Sequence, residues 1–327
     1  MMQANRLCPQ APAAGIAWQG SDLRRLTSHF VPLYSIAMSH IDLDPALARR
    51  LWTAYEPYHA MIYFAPEARE AFKAAGLKGY WMGYFASRAA ALGAVPAPVV
   101  TATFFNFAPR MVERAIPDAW RFCAPEQVLA VRLDAADRAL RRLLGDALDS
   151  PAVAEAADLA RAAVAGCDAA GRTLFAAHTA LPWPEAPHLV LWQAATLLRE
   201  FRHDGHIAVL LSSGLDGCEA HVTVAAGGNV PRATLQANRG WADEEWEAAA
   251  ARLTARGWLD EAGQLSAAGR EVRAAIEAQT DRLALPPLQH LGAEDSERLE
   301  DLLRPLSRQI VAAGGLPSPN PLGLPDP

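Results

Sequence analysis

Apolar residues along most of this chain recur every three or four positions, the period of helices that bury one face. Pro45 to Trp52 opens the first clear helix, with Asp44 placed to cap it and Pro45 at the first helical position. Ala68, Ala71, Phe72 and Ala75, after Pro66-Glu67, predict a short helix stopped at Gly76. Gly79 to Ala89 is aromatic, but small residues at Gly79, Gly83 and Ala86 suit close helix packing, so a buried helix is expected there. Val99 to Asn106 reads as helix or strand. Pro125 to His178 predicts a helical hairpin or small bundle. His188 to His203 predicts an amphipathic helix, interrupted at Asp204-Gly205 before another begins at His206. Further helices are expected over Ala242 to Arg256, from the Ser266 cap to Leu285, and from Glu294 to Ala313. Trp258-Leu259 and Gln264-Leu265 flank an acidic turn and predict a tiny hairpin. The fold class expected is mainly α.

Length and punctuation divide this pattern. At 327 residues the chain suits two domains. Leu181 to Pro187 holds three prolines and is the strongest linker signal, although it is short and apolar enough to be docked and not free. The expected layout is a mobile lead-in over 1–20 with order beginning near Ser21, and a helical domain with an aromatic cleft over 21–180. A second domain covers 188–314, and a disordered tail covers 315–327.

Charge changes the picture in the second half. The chain carries a net −6, and residues 188–327 hold 12 Arg and no Lys against 19 acidic residues. Such a surface repels nucleic acid and anionic lipid. Of the basic residues, 28 are Arg and only Lys73 and Lys78 are Lys, which is the mark of a GC-rich coding sequence before it is a sign of function. Cys8, Cys123, Cys167 and Cys218 are scattered and read as reduced, mostly buried thiols. With no signal-like or spanning apolar run, a cytoplasmic protein without membrane partners is expected.

The order of helices ending Arg-Leu-Thr-Ala-Arg-Gly-Trp-Leu, then a hairpin, then Leu-Ser-Ala-Ala-Gly-Arg-Glu, resembles MarR-type winged-helix regulators over roughly 239–313. The resemblance implies a degenerate winged helix with long C-terminal helices of the kind used for dimerisation, hence a homodimer or an intramolecular pseudo-dimer. Departures from the pattern are pointed. Glu244, Glu245 and Glu247 stand where the recognition helix would meet bases and phosphates, and Asp260 and Glu261 stand in the wing. DNA binding is therefore disfavoured. Taken whole, the chain resembles an actinobacterial helix-turn-helix family of the SalTA type. That likeness rests on Pro57 to Phe64, Gly79 to Phe85, Arg202 to His206 and Gly214 to Glu219, and it implies an architecture without a reaction.

Candidate chemistry clusters in three places. His59 and Tyr63, spaced i, i+4 among aromatics, are candidate catalytic residues. His59 suits a general base, a haem ligand or a ligand-orienting donor, and equally a core histidine satisfied by a buried carbonyl. His203 and His206, spaced i, i+3, can share a helix face. His206 is a third catalytic candidate and His203 a ligand contact, while a metal held with Glu200, Asp204 or His221 is the alternative to a plain polar junction. Tyr84, Phe105, Asn106, Trp192 and Arg199 complete the expected ligand contacts. Arg199, Arg202, Arg110 and Arg114 are able to clamp an anion or to form ordinary ion pairs.

No P-loop, dinucleotide fingerprint, His-Glu-x-x-His or Gly-x-Ser-x-Gly motif occurs. The leading expectation is a small-molecule or cofactor-binding protein, with enzymatic activity open. Its ligand, with haem or a metal ion among the options, would lie between the domains near His59, Tyr63, Trp192 and His206. The alternatives are a ligand-responsive MarR-like regulator and a structural or partner-binding module.

Overall fold

The computed structural model describes residues 43–317 and 320–324, so the expected lead-in over 1–20 and the start of order near Ser21 lie outside the described residues. The elements are α1 (Pro45–Ala60), α2 (Pro66–Ala74), α3 (Gly79–Ala89), α4 (Ala97–Thr103), α5 (Pro109–Glu113), α6 (Ala119–Phe122), α7 (Pro125–Leu144) and α8 (Pro151–Val164). They continue with α9 (Thr173–Thr179), α10 (Pro187–Ser212), α11 (Gly217–Ala226), α12 (Arg232–Arg239), α13 (Asp243–Ala255), α14 (Ala267–Leu283), α15 (Pro286–Leu291) and α16 (Ala293–Ala312). The protein is mainly α. Its one β feature among the described residues is the Leu259–Leu265 bridge of the expected hairpin.

The many prolines are helix starters. Pro45, Pro66, Pro109, Pro125, Pro151, Pro187 and Pro286 each stand at the first position of a helix, where no intrahelical N–H bond is lost. Asp44 caps α1 by accepting from the Ala46 amide (2.9 Å), and Ser266 caps α14 by accepting from the Gly269 amide (3.0 Å). Val99 to Asn106 resolves into the end of α4 and the turn after it.

Two buried cores share one long helix. The larger contains the apolar faces of α1–α4, α7 and α8, the first half of α10, α15 and α16. The smaller gathers the end of α10 with α11, α12, α13 and α14 around Leu210, Trp246, Leu253 and Ile276. Because α10 runs unbroken for 26 residues, it belongs to both, and the expected boundary at 181–188 is not a free linker. Trp183 in that stretch packs with Phe175, Leu197 and Phe201.

Gly205 explains the missing interruption. A Cβ there would meet the Arg172 guanidinium at 2.6 Å. Arg172 uses the gap to reach the Phe201 and Leu283 carbonyls while lying 3.6 Å over the Phe201 ring. Glycine serves packing here, and Asp204 accepts from the Leu174 and Phe175 amides (both 3.0 Å) at the start of α9.

Leu299, Leu303, Leu306 and Ile310 of α16 are buried in the larger core, where α16 packs on α1 and α8, so this apolar face is covered by the chain itself. The expected disordered tail contributes Leu316 and Leu324, both buried, to the same core.

Candidate functional site

The helix-turn-helix unit is α12, the turn Gly240-Trp241-Ala242, and α13, followed by the hairpin. Gly240 takes φ 78°, the left-handed value that ends α12. The unit is riveted to the loop between α4 and α5. Trp241 Nε1 donates to the Asn106 carbonyl (3.0 Å), the Ala108 amide donates to the Arg239 carbonyl (2.9 Å), and Arg110 donates to the Gly240 carbonyl. On α11 a Cβ at Gly217 would meet the Phe105 carbonyl oxygen at 2.2 Å, so only glycine permits this approach.

Three of the four acids that open α13 are engaged in structure. Glu245 forms a two-pronged pair with Arg110 (2.8 and 2.7 Å) and caps the helix by accepting from the Ala242 amide (2.8 Å). Arg232 of α12 pairs with Asp243 (2.9 Å) and Glu247 (2.5 Å), and Arg252 and Arg256 converge on Glu219. In the hairpin, Asp260 accepts from the amides of Ala262 (3.0 Å) and Gln264 (2.9 Å), which shapes the tight turn. The basic side chains of this unit that could have reached phosphate are mostly spent on carboxylates.

Between the two cores lies a cleft of about 950 Å³. Its walls include Trp52, Tyr84, Phe104 and Phe107, with His203 and His206 from α10 and His221 from α11. Seven arginines line it against two carboxylates, Glu56 and Glu277. Glu200 and Asp281 stand behind the wall in ion pairs, and the cations still outnumber the anions.

The centre of this network is Glu200. Burial alone would raise its pKa, but Arg199 (2.8 Å) and Arg88 (3.4 Å) override burial and hold it well below the usual carboxylate range. Burial keeps neighbouring Glu56 above that range despite Arg199 at 3.4 Å. Arg88 also donates to the Tyr84 hydroxyl (3.0 Å) and lies 4.3 Å over Phe104. Arg239, at the end of α12, has no carboxylate partner among the described residues. It stacks 4.8 Å over Phe107 and donates to the Asn238 and Pro321 carbonyls, and burial lowers its pKa.

Several buried polar atoms of the lining have no partner among the described residues: Arg88 Nε, Asn106 Oδ1, Arg202 Nη1, His203 Nε2 and His221 Nε2. Buried polar atoms are nearly always satisfied, so this concentration around one cavity is the most unusual feature of the molecule. His206 adds a defined acceptor. Thr280 donates to the Ile276 carbonyl (2.8 Å), so its oxygen accepts from His206 Nδ1 (2.9 Å), and the proton resides on Nδ1. Nε2 is then the basic nitrogen of a ring that lines the cleft, and burial lowers its pKa to about 4.

Of the residues expected to form the site, His206, Tyr84, Asn106, Arg199 and His203 line the cleft. His59 does not line the cleft. Thr196 donates to the Trp192 carbonyl (2.9 Å) and accepts from His59 Nδ1 (2.9 Å), while His59 Nε2 accepts from Tyr63 (2.6 Å). Both ring nitrogens are occupied, which leaves neither for iron or for a ligand. Tyr63 borders a different pocket, between α2 and α3. Trp192 is buried in the core beneath Arg132, and Phe105 packs on the smaller core. Of the four arginines read as an anion clamp, Arg199 and Arg202 line the cleft, whereas Arg110 is spent on Glu245 and Arg114 lines neither cavity. No group of three or more His, Cys, Asp or Glu side chains among the described residues is arranged to hold a metal ion, so His203 and His206 lack the third ligand the metal alternative required.

Sequence reasoning missed Arg88, Arg239, Phe104 and Phe107. A lone arginine in the otherwise apolar, aromatic run from Gly79 to Ala89 was a signal for Arg88, since such a charge must find partners inside. Nothing local marks Arg239, whose importance comes from meeting Phe107 across the fold.

No single helix among the described residues is long and apolar enough to cross a membrane. No curated protein and no solved structure matches the chain. A family model described as a helix-turn-helix family matches residues 48–317, which takes in most of both cores and of the cleft lining. The chain belongs to this helix-turn-helix family.

Proposed function

We propose that the protein binds a small organic anion with a flat or apolar body in the cleft between its two cores. One observation carries this reading: five of the nine buried polar side-chain atoms without a partner among the described residues, together with an excess of arginine, line this one cavity. A carboxylate, sulfonate or phosphate would satisfy Arg88, Arg239 and Arg202 at once, and Trp52, Phe104 and Phe107 suit an aromatic or apolar body. The cavity has the size usual for small-molecule sites.

A catalytic version of this reading rests on His206. A neutral imidazole with its acceptor nitrogen on a ligand cleft is able to take a proton from a bound molecule. The regulator reading draws on the family, in the MarR-like form that the hairpin suggests. Against DNA as the partner of α13 stand its carboxylates and the clamping of the helix-turn-helix turn by Asn106, Ala108 and Arg110.

The test is titration calorimetry with aromatic carboxylates, sulfonates and phosphates, each beside its uncharged amide or alcohol. At least one anion is expected to bind about tenfold or more tightly than its neutral partner, with that preference lost in Arg239→Gln. Equal binding of charged and neutral forms, or no binding across the panel, would remove the proposal.

A further inference from the structure

We propose that the pocket between α2 and α3 is a second ligand site, for a single-chain amphiphile with an anionic head group. It is separate from the cleft, with Tyr84 as the sole residue that lines both among those described. It measures about 510 Å³, and its inner wall is formed by Ile62, Ala65, Ala68, Phe72, Leu77 and Tyr80. Two glycines shape it. At Gly83 a Cβ would come within 3.0 Å of the Phe72 ring, so α3 lies close on that ring and the floor is flat and apolar. Gly79 takes φ 75°, and no atom lies within 4 Å of where its Cβ would be, so the mouth stays open.

The rim gives the pocket its chemical preference. Arg69 and Lys73 are one turn apart on α2, and Lys78 faces them from the connection to α3. All three are exposed, and none has a carboxylate partner among the described residues. Arg69 lies 6.0 Å from the Tyr80 ring and Lys78 4.2 Å from the Phe122 ring. The nearby Glu67 is committed to Arg142, and Glu70 does not line the pocket. Lys73 and Lys78 are also the only lysines of a chain that otherwise uses arginine 28 times. Their compact ammonium groups on flexible stems suit a small charged head that sits at the surface while its tail is buried. An open apolar pocket in a water-facing wall is unfavourable unless something fills it, and three unpaired cations select an anion as the outer end of that occupant.

The probes are octanoate, decanoate and decanol, titrated into the full chain and into a Lys73→Glu/Lys78→Glu variant, whose changed side chains are exposed and should leave the melting temperature unmoved. Affinity is expected to rise about fourfold per added methylene from octanoate to decanoate. Decanoate should bind about tenfold or more tightly than decanol, and the double variant should remove that difference while decanol binding persists. Arg239→Gln should leave decanoate binding intact, because that residue serves the cleft. The proposal is overturned if decanoate shows no saturable binding, if decanol binds equally well, or if the double variant binds decanoate normally. It is equally overturned if Arg239→Gln alone abolishes decanoate binding, which would move the amphiphile to the cleft. Binding to phosphatidylglycerol vesicles without binding to monomeric decanoate would make the patch a membrane contact and would also reject it.

Discussion

The arginines of the helix-turn-helix unit and those of the cleft are the same residue type in opposite conditions. On the unit, Arg232, Arg252 and Arg256, with Arg110 beside them, reach carboxylates within 2.8 Å or less. In the cleft, Arg239 reaches no carboxylate, and Arg88 and Arg202 each retain an unpartnered nitrogen. The exposed arginines of the unit are neutralised, whereas the cleft holds more cations than carboxylates even though Arg49, Arg88, Arg199, Arg202 and Arg273 form ion pairs there. That surplus supports the proposed small anionic ligand, because desolvated cations are retained only where something compensates them.

The contrast is broken most severely at Glu200. Glu200→Gln leaves Arg88 and Arg199 buried without their main counter-charge and should cost about 3–5 kcal/mol of unfolding free energy in a urea titration. An unchanged midpoint would mean that the arginines are already compensated by something else.

Acid should act next. His206 and His178 are held at about 4 and His221 at about 3, in each case by burial first, against an ordinary value of 6.5. Their contribution is complete above about pH 6.5 and is lost as pH falls toward about 4, because the unfolded chain takes up protons that the native state refuses. Asp204 opposes them. Burial raises its pKa to about 6, so between about pH 4 and about pH 6 the native state holds the proton and gains stability as pH falls. His59 and His203, held well below 6.5 by burial, act in the same sense as the other histidines, and Glu56, raised by burial, sides with Asp204. Five histidines against two carboxylates predict a net loss on the order of 2 kcal/mol or more by about pH 4, read from denaturant midpoints. His206→Gln should flatten the slope.

Arg239→Gln sharpens the comparison from the other side. With no ion pair to lose, its stability should change by less than about 1 kcal/mol, while affinity for a cleft anion falls about tenfold or more. A large loss of stability with intact binding would make Arg239 structural. The smallest expected effect is at Glu244, exposed on α13 with no ion-pair partner. Glu244→Lys should shift stability by less than about 0.5 kcal/mol, and neither it nor the parent chain should retain a specific DNA site in about 150 mM salt. Recovery of one tight sequence from a genomic selection with the parent chain would reverse the argument.

Much of the architecture was legible because it is local. Asp44, Ser266 and the leading prolines announce helix starts within a few residues, and the acids at the head of α13 are plain in the chain. The cleft was half legible: His203, His206, Arg199, Asn106 and Tyr84 stood out as polar or aromatic groups in apolar surroundings. His59 stood out for the same reason and turned out to be enclosed. Local pattern reports that a polar group will be buried, and only the packing of Thr196 and Tyr63 around it determines whether its hydrogen bonds are already made.

The sequence by itself determined that this is a mainly helical protein and that the helix over 243–255 begins with a run of carboxylates. Helix period, capping and side-chain charge are properties of short segments, and they survive whatever the rest of the chain does. Only the tertiary structure decided which arginines go unpaired, that α10 is continuous through Gly205, and that α16 returns to pack on α1. Each of these depends on groups far apart in the chain, such as Arg239 over Phe107, Arg172 in the gap at Gly205, and Leu303 in the core of α1. Segment-level patterns carry no information about such meetings, because the free energy that selects them comes from burial and pairing across the whole fold.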